Sequence, residues 1–278
     1  MKVKYLGSGG GGGIPELFCA CPVCTNARQV GGRELRRRSL AIVDDCLLID
    51  LPCDARDSFL THEVDLSQPE VLLVTHNHYD HFLAENLLTR PQGAKKIRLF
   101  ISYGSGQALS ERCKKLATMP TPSQMEPIHL PEVHLLHPFE EVTYGAYSIT
   151  PLHSSHASGL ETLNYLIRKG DKAILWLHDS GRLTEETKSW LKEHPFSLSL
   201  VSMDCALPLG FGKSREHMDL NACEETVNFL RSIGSVSHSS VLILSHISHN
   251  TKMTHIQLQH AAHERGFSVA FDGKELYI

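Results

Sequence analysis

Thr75-His76-Asn77-His78-Tyr79-Asp80-His81 places three histidines and an aspartate within seven residues. At this chain's own His and Asp frequencies, shuffling would produce His-x-His-x-Asp-His only about 0.003 times per chain. A chance run of polar residues is therefore a poor reading. Val71 to Thr75 is a short, apolar, β-branched run and predicts a buried strand leading into the motif. His81 to Leu88 reads as a short helix stopped by Arg90-Pro91. Side chains alternate along a strand, so a strand end puts His76 and His78 on one side. The turn into the helix lets Asp80 and His81 point back at the same place. One segment can thus offer two ligands to each of two adjacent ions. Imidazole with carboxylate suits Zn, Fe or Mn, and the lack of Cys argues against a thiolate-dominated site.

Two ions need more ligands, and these are expected at other strand ends. Val142 to Thr150 reads as a hairpin around Gly145 and is followed by His156, with His153 as the competing ligand. Leu163 to Arg168 and Lys172 to Leu177 form a hairpin turned by Gly170-Asp171, and Asp179 follows it. The strand Val241 to Ser245 delivers His246. The carboxyl ends of strands are where α/β proteins build their sites. Asp50, in the strand Cys46 to Leu51, is either a turn acid or a support for the ligands. Asp204, after the strand at Leu198 to Met203, is either a similar support or a cap.

The other elements follow the same logic. Lys2 to Leu6 is a strand entering the Gly9 to Gly13 loop, which is not a nucleotide-binding P-loop because no Gly-Lys-Ser/Thr follows. Leu40 to Val43 forms a hairpin with the next strand around Asp44-Asp45, and Ile97 to Ser102 is a strand. Helices are expected at Gly106 to Leu116, after the Thr184 cap, at Asp219 to Ser232, and at Thr254 to Arg265; a hairpin of Phe267 to Phe271 with Leu276 to Ile278 ends the chain. Strands cluster early and alternate with helices late. That predicts an α/β protein, its sheets covered by helices, in one domain over residues 1–278.

Composition narrows the classes. The 278 residues are 41% hydrophobic and 21% charged, an ordinary globular balance that excludes wholesale disorder. No apolar run approaches the ~20 residues of a membrane helix, and the amino-terminal stretch lacks a signal-peptide core, so a cytoplasmic protein is expected. The net charge of −4 leaves no electrostatic footprint for nucleic acid. Eight cysteines in such a chain argue against a disulfide framework. Cys19-Ala20-Cys21-Pro22-Val23-Cys24 is a C-x-C-x2-C cluster after a Gly/Pro loop, the pattern of a zinc site that still needs a fourth ligand. Unrelated reduced thiols and a redox pair are the alternatives.

The sequence resembles the metallo-β-lactamase superfamily of dinuclear hydrolases. GSGG at the start, IDLP at Ile49 to Pro52, THNHYDH, LHDSG at Leu177 to Gly181 and SHISH at Ser245 to His249 carry the likeness over nearly the whole chain. The CACPVC loop, TPLHSSH, MDCALP with EHMDLN, and SHISHN followed by FDGKEL look most like the PhnP-type phosphodiesterases of the carbon–phosphorus lyase pathway. The resemblance implies an αββα sandwich: two mixed β-sheets packed face to face, with helices outside. It implies one metal site from His76, His78 and His156, a second from Asp80, His81 and His246, and Asp179 bridging both. It assigns Asp50 to supporting the His-x-His loop, His249 to completing a Cys19–Cys21–Cys24 zinc site, and His217 to the leaving group or transition state. Asp80 has a catalytic part as a ligand. The segment between His156 and Tyr165 is longer than the family pattern.

The implied function is hydrolysis of a small phosphodiester, such as a phosphoribosyl cyclic phosphate of phosphonate metabolism. Two divalent ions (Mn, Zn or Fe) and one structural zinc would serve it. Hydrolysis of a thioester or lactone is the nearest alternative; a tRNA 3′-processing nuclease and a non-catalytic metal-binding protein come behind it. The expected partner is the small substrate, with no membrane and no nucleic acid, and a homodimer is left open. His217 has a bland alternative as an exposed helix-flanking residue. Other histidines have no assigned role: His129, His134 and His137 in a proline-rich stretch, His255, His260 and His263 on the solvated face of the last helix, and His178 pointing away from the metals. Arg36, Arg37 and Arg38 read as a solvated face, with a phosphate clamp as the alternative.

Overall fold

The computed structural model describes residues 1–88, 95–118, 131–157, 159–210 and 216–278. Two seven-stranded sheets form its centre. The first contains β1 (Lys2–Gly7), β2 (Leu40–Val43), β3 (Leu47–Ile49), β4 (Val71–Leu73), β5 (Arg98–Ser102), β6 (Glu132–Leu136) and β14 (Glu275–Tyr277), in the order β14-β1-β2-β3-β4-β5-β6. The second contains β7 (Val142–Tyr144), β8 (Tyr147–His153), β9 (Leu163–Lys169), β10 (Lys172–Leu177), β11 (Leu200–Asp204), β12 (Val241–Ser245) and β13 (Ser268–Val269), in the order β13-β12-β11-β10-β9-β8-β7. Each sheet is antiparallel on one side and parallel on the other: β3 to β6 run parallel in the first, and β10 to β13 in the second.

Local chemistry explains the tight connections. Asp44 and Asp45 both take positive φ (48° and 57°), and the Cys46 N–H donates to the Val43 carbonyl at 3.0 Å, closing the turn between β2 and β3. Gly145 and Gly170, at φ 54° and 59°, turn β7 into β8 and β9 into β10. Alternation along the strands then sorts side chains into layers. In β10, Ile174 and Trp176 face the other sheet, while Leu175 and Leu177 face helices. Tyr5 of β1 stacks on Trp176 of β10 at 5.5 Å between ring centroids, joining the two sheets through side chains that are fully buried.

Helices cover both outer faces. α2 (Ala55–Thr61), α3 (Glu85–Leu88) and α4 (Tyr103–Ala117) lie on the first sheet, with Phe59, Leu87, Leu88 and Leu109 packed against Ile42, Leu72 and Leu99. α1 (Pro22–Val30), α5 (Glu185–Glu193), α6 (Leu220–Ser232) and α7 (His255–His263) cover the second, where Ala27, Leu191, Val227 and Leu258 meet Val201, Met203 and Leu244. Ser102, Thr184, Asp219 and Thr254 cap α4 to α7 with their side-chain oxygens, and Thr254 with Gln257 completes a capping box. The αββα sandwich expected from the resemblance is the observed architecture. No helix among the described residues is long and apolar enough to cross a membrane.

Several elements depart from expectation. The helix read over His81 to Leu88 is only Glu85–Leu88. Upstream of it, the Leu51 N–H donates to the His81 carbonyl and the Leu83 N–H to the Leu51 carbonyl, so this stretch bonds sideways as an extended rung. The final hairpin does not form. Ser268–Val269 runs parallel to β12, whereas Glu275–Tyr277 pairs with β1, so the chain end crosses from one sheet to the other. Helices α1 and α2 and strand β6 had no counterpart in the sequence reading. The Arg90-Pro91 stop and His129 lie outside the described residues.

Candidate metal centres

The ends of β3, β4, β8, β10, β11 and β12 all deliver polar residues to one end of the sandwich. Asp50, Asp179 and His246 each sit just past a strand with left-handed backbone (φ 67°, 48° and 59°). Such a conformation costs on the order of 1–3 kcal/mol per residue and persists where the surroundings impose it. Here it turns three strand-end side chains back over the sheet edges.

Asp179 is the hub. Its Oδ2 lies 3.2 Å from His76 Nε2, 3.3 Å from His81 Nε2 and 3.1 Å from His156 Nε2. Its Oδ1 lies 3.1 Å from His217 Nδ1 and 3.9 Å from His246 Nε2. Three donor groups share this carboxylate: His76, His78, His156 and Asp179 form one, Asp80, His81, Asp179 and His246 a second, and Asp179, Asp204, His217 and His246 a third. In each, one ligand atom per residue falls within 4.8 Å of all the others. Burial opposes the charge on Asp179, but the imidazoles, His246 first, hold its carboxyl well below the usual carboxylate range. Asp179 Oδ1 and His156 Nε2 are buried and make no aligned hydrogen bond despite these close approaches. Orphaned buried donors and acceptors converging on one point are what a divalent cation would satisfy.

Carboxylates behind the imidazoles fix their orientation. Asp50 Oδ2 lies 2.7 Å from His81 Nδ1, which leaves His81 Nε2 facing the hub. Asp50 Oδ1 accepts the backbone N–H and the hydroxyl of Thr75 at 2.8 and 2.9 Å. The Thr75 hydroxyl also lies 3.1 Å from His76 Nδ1. Asp204 does the same on the second sheet. Its Oδ2 lies 3.0 Å from His246 Nδ1 and 3.1 Å from His217 Nδ1, and its Oδ1 accepts the N–H groups of Ala206 and Met218. Asp204 is fully buried; burial pushes its carboxyl up, but His217 and His246 outweigh that and bring it to about 2. Asp204 therefore lies against the His246 and His217 imidazoles, and the cap of α6 is Asp219. Burial opposes protonation of His217, yet Asp204, with Asp179 and Glu216, raises it to about 9. Its side chain keeps 25% of its accessible surface, so it borders the site from the open side.

A separate cluster gathers Cys19, Cys21, Cys24 and His249, again with one ligand atom per residue within 4.8 Å of the others. Cys19 Sγ and Cys21 Sγ lie 3.4 and 3.6 Å from His249 Nδ1. The other ring nitrogen of His249 meets Glu16 Oε2 at 2.5 Å, so Nδ1 is the atom presented to the thiols. Cys21 also caps α1, which ties the cluster to the fold. Three sulfurs and one imidazole nitrogen are the donor set of a closed structural zinc site.

Every donor residue proposed from sequence falls in one of these clusters, and His156 rather than His153 is brought in: His153 is exposed beside the Phe139 ring. His178 stays out, buried between Ser39 and Ser202. His134 stacks on Phe100 and stays out as well. Two readings are corrected. Arg36 is not solvated: it is buried, bonding Ser8, the Ala270 carbonyl and His255, because the loops from both sheets close over it. His255 is buried with it, not on the solvated face of α7. Arg37 pairs with Asp57 and Asp272, and Arg38 with Asp54 and the Gly11 carbonyl, so neither is a phosphate clamp. Thr75 and Glu16 were missed; their one sequence signal is nearness to the motifs they brace.

An αββα sandwich with overlapping His/Asp donor groups at one end defines a metal-dependent hydrolase of the metallo-β-lactamase fold. Residues 47–247 match the family described as the beta-lactamase superfamily domain, and the chain belongs to that superfamily. Among curated proteins it is 37% identical over 84 residues to an octanoyltransferase of Porphyromonas gingivalis, spanning 29% of this chain and 16% of that one. It is 32% identical over 105 residues to coenzyme PQQ synthesis protein B of Methylobacterium radiotolerans, spanning 34% of each. The matches thus span a minor part of those relatives. Among solved structures, a diphosphatase from the PhnP family superposes with a TM-score of 0.73 at 20% identity, over 100% of this chain and 97% of the other. Zinc-bound PqqB from Methylobacterium extorquens gives 0.74 at 20% identity over the whole of both. These likenesses show the fold.

Proposed function

We propose that the chain is a dinuclear phosphodiesterase acting on small phosphodiesters, cyclic sugar phosphates among them. His76, His78 and His156 would hold one divalent ion, Asp80, His81 and His246 a second, and Asp179 would bridge them; Cys19, Cys21, Cys24 and His249 would hold a structural zinc. Zinc, manganese and iron all suit the His/Asp donors. When bound, the paired ions supply Lewis acidity and a water acidified toward neutral pH. Asp50 and Asp204 keep the ligand imidazoles in the tautomer that presents Nε2. The likeness to a PhnP-family diphosphatase is consistent with phosphorus as the centre attacked.

The observation that carries the reading is His217. Its Nδ1 is held between Asp204 and Asp179, 3.1 Å from each, at the open side of the donor cluster. With Nδ1 occupied, Nε2 is the atom left to face a substrate, placed to donate to a departing alkoxide or to pair with an anionic oxygen. An alkyl phosphodiester calls on both, its non-bridging oxygens being anionic from the start and its alkoxide needing a proton; a thioester departs as a thiolate that needs no proton, and only its tetrahedral intermediate carries an anionic oxygen. The test uses metal-loaded protein with bis(p-nitrophenyl) phosphate, a ribose cyclic phosphate, a thioester and a lactone. Turnover of the diesters with loss of about 10²–10⁴-fold in His217→Ala at unchanged metal content supports the reading. The loss should be smaller for p-nitrophenolate, which departs without a proton, than for the ribose ester. Turnover of the thioester or lactone alone overturns it.

A further inference from the structure

The motif Thr75 to His81 has a second face. Its donors point at Asp179, while Asn77 and Tyr79, interleaved with them, line a groove of about 300 Å³ on the side of the first sheet. Phe82, Leu83, Ala84 and, from α4, Ala108 and Leu109 give it a mainly apolar surface, with Ser105 among its polar groups. Arg112, which also lines it, is paired with Glu85. Tyr79 joins the groove to the donor cluster. Its hydroxyl donates to the Gly11 carbonyl at 3.1 Å, where Gly11 borders the Asp80 carboxylate, and its ring is more than half exposed. A trough whose surface is mainly apolar, and whose Arg112 is already ion-paired, starting one residue from three of the donors, is a poor lining for a second phosphate, a free sugar or a nucleic-acid backbone. It suits a compact apolar or aromatic group attached to whatever reacts at the donors, since burying such a surface yields roughly 25 cal/mol per Å² and aromatic rings pack well against one another.

We infer that this groove is a specificity subsite for the non-leaving arm of the substrate, and that the arm is a compact apolar group, aryl or short branched alkyl. The inference rests on the phosphodiester reading above and narrows it. The test compares phenyl p-nitrophenyl phosphate with methyl p-nitrophenyl phosphate on metal-loaded protein; both lose p-nitrophenolate, so only the retained arm differs. The expected result is a kcat/KM higher for the phenyl ester by about tenfold or more, expressed in KM. Ala108→Trp, which fills the groove, and Leu83→Gln, which makes it polar, should each remove that preference, the phenyl-to-methyl ratio of kcat/KM falling to about one. Calorimetry with phenylphosphonate and methylphosphonate reads the same preference without turnover, and should show the phenyl ligand binding tighter only in the wild-type protein. Equal constants for both arms, or a preference that survives both variants, overturns the subsite. No turnover of either ester, with the calorimetric difference intact, would instead remove the phosphodiester reading and leave the groove standing.

Discussion

The two donor clusters are built in opposite ways. The thiol cluster is local: three of its ligands fall between Cys19 and Cys24, and only His249 arrives from elsewhere. The His/Asp cluster is assembled from the ends of strands in both sheets, and each part leans on a buried carboxylate, Asp50 on one side and Asp204 on the other. A local cluster can be taken out while the sandwich still positions everything else. A distributed one fails when any strand end is disturbed, because the buried charges left behind lose their partners. The clusters also meet, since His246 and His249 share one short loop. Gly10, in the loop that leads to the cysteines, approaches so closely that a Cβ there would meet the His246 ring at 3.2 Å. Damage at the thiols should therefore reach the reacting end weakly, through that loop.

This contrast can be broken at several points. The largest effect is expected at a ligand of the second ion: Asp80→Ala or His81→Ala should lose one exchangeable ion per chain and nearly all diester hydrolysis, by metal analysis and assay together. His217→Ala comes next, slow but fully metallated. Asp204→Asn removes a support without removing a ligand and should cost on the order of 10–100-fold in metal affinity or activity. Full activity at low metal in that variant would show that Asp204 is only a buried structural acid. Smallest for catalysis, though not for stability, is Cys21→Ser. It should lower zinc content by one and reduce the melting temperature, because a structural zinc contributes folding energy directly, while hydrolysis per folded molecule stays within a few fold. An unchanged zinc count and melting temperature would dissolve the thiol site.

How much of this was legible in the sequence follows the same division. The ligands were readable because strand ends and a dense motif advertise them: THNHYDH, LHD and SHISH each follow an apolar run. Of the supports, Asp50 came only through the family likeness and Asp204 was left open between a support and a cap. Asp204 carries the same signature as a helix cap, and only the folded position of His246 and His217 tells the two apart. Arg36 stands in a run of three arginines that reads as solvated, yet it is buried by contacts with residues 219 to 234 positions distant, which no local pattern encodes. The last two strands failed for a related reason. Phe267 to Phe271 and Leu276 to Ile278 have the spacing of a hairpin, but the free edges of β12 and β1 compete for them and win. The helix expected from His81 gave way to ladder bonds with Leu51, a partner thirty residues upstream.

The most direct test of the shared Asp179 hub is stoichiometry. Protein stripped of exchangeable metal by a chelator mild enough to leave the thiol-bound zinc should be inactive toward bis(p-nitrophenyl) phosphate. Returning manganese or zinc stepwise should restore hydrolysis up to two equivalents per chain and no further, with Asp179→Asn failing to hold the second. Full activity at one equivalent, or activity that persists in stripped protein, would contradict a dinuclear centre.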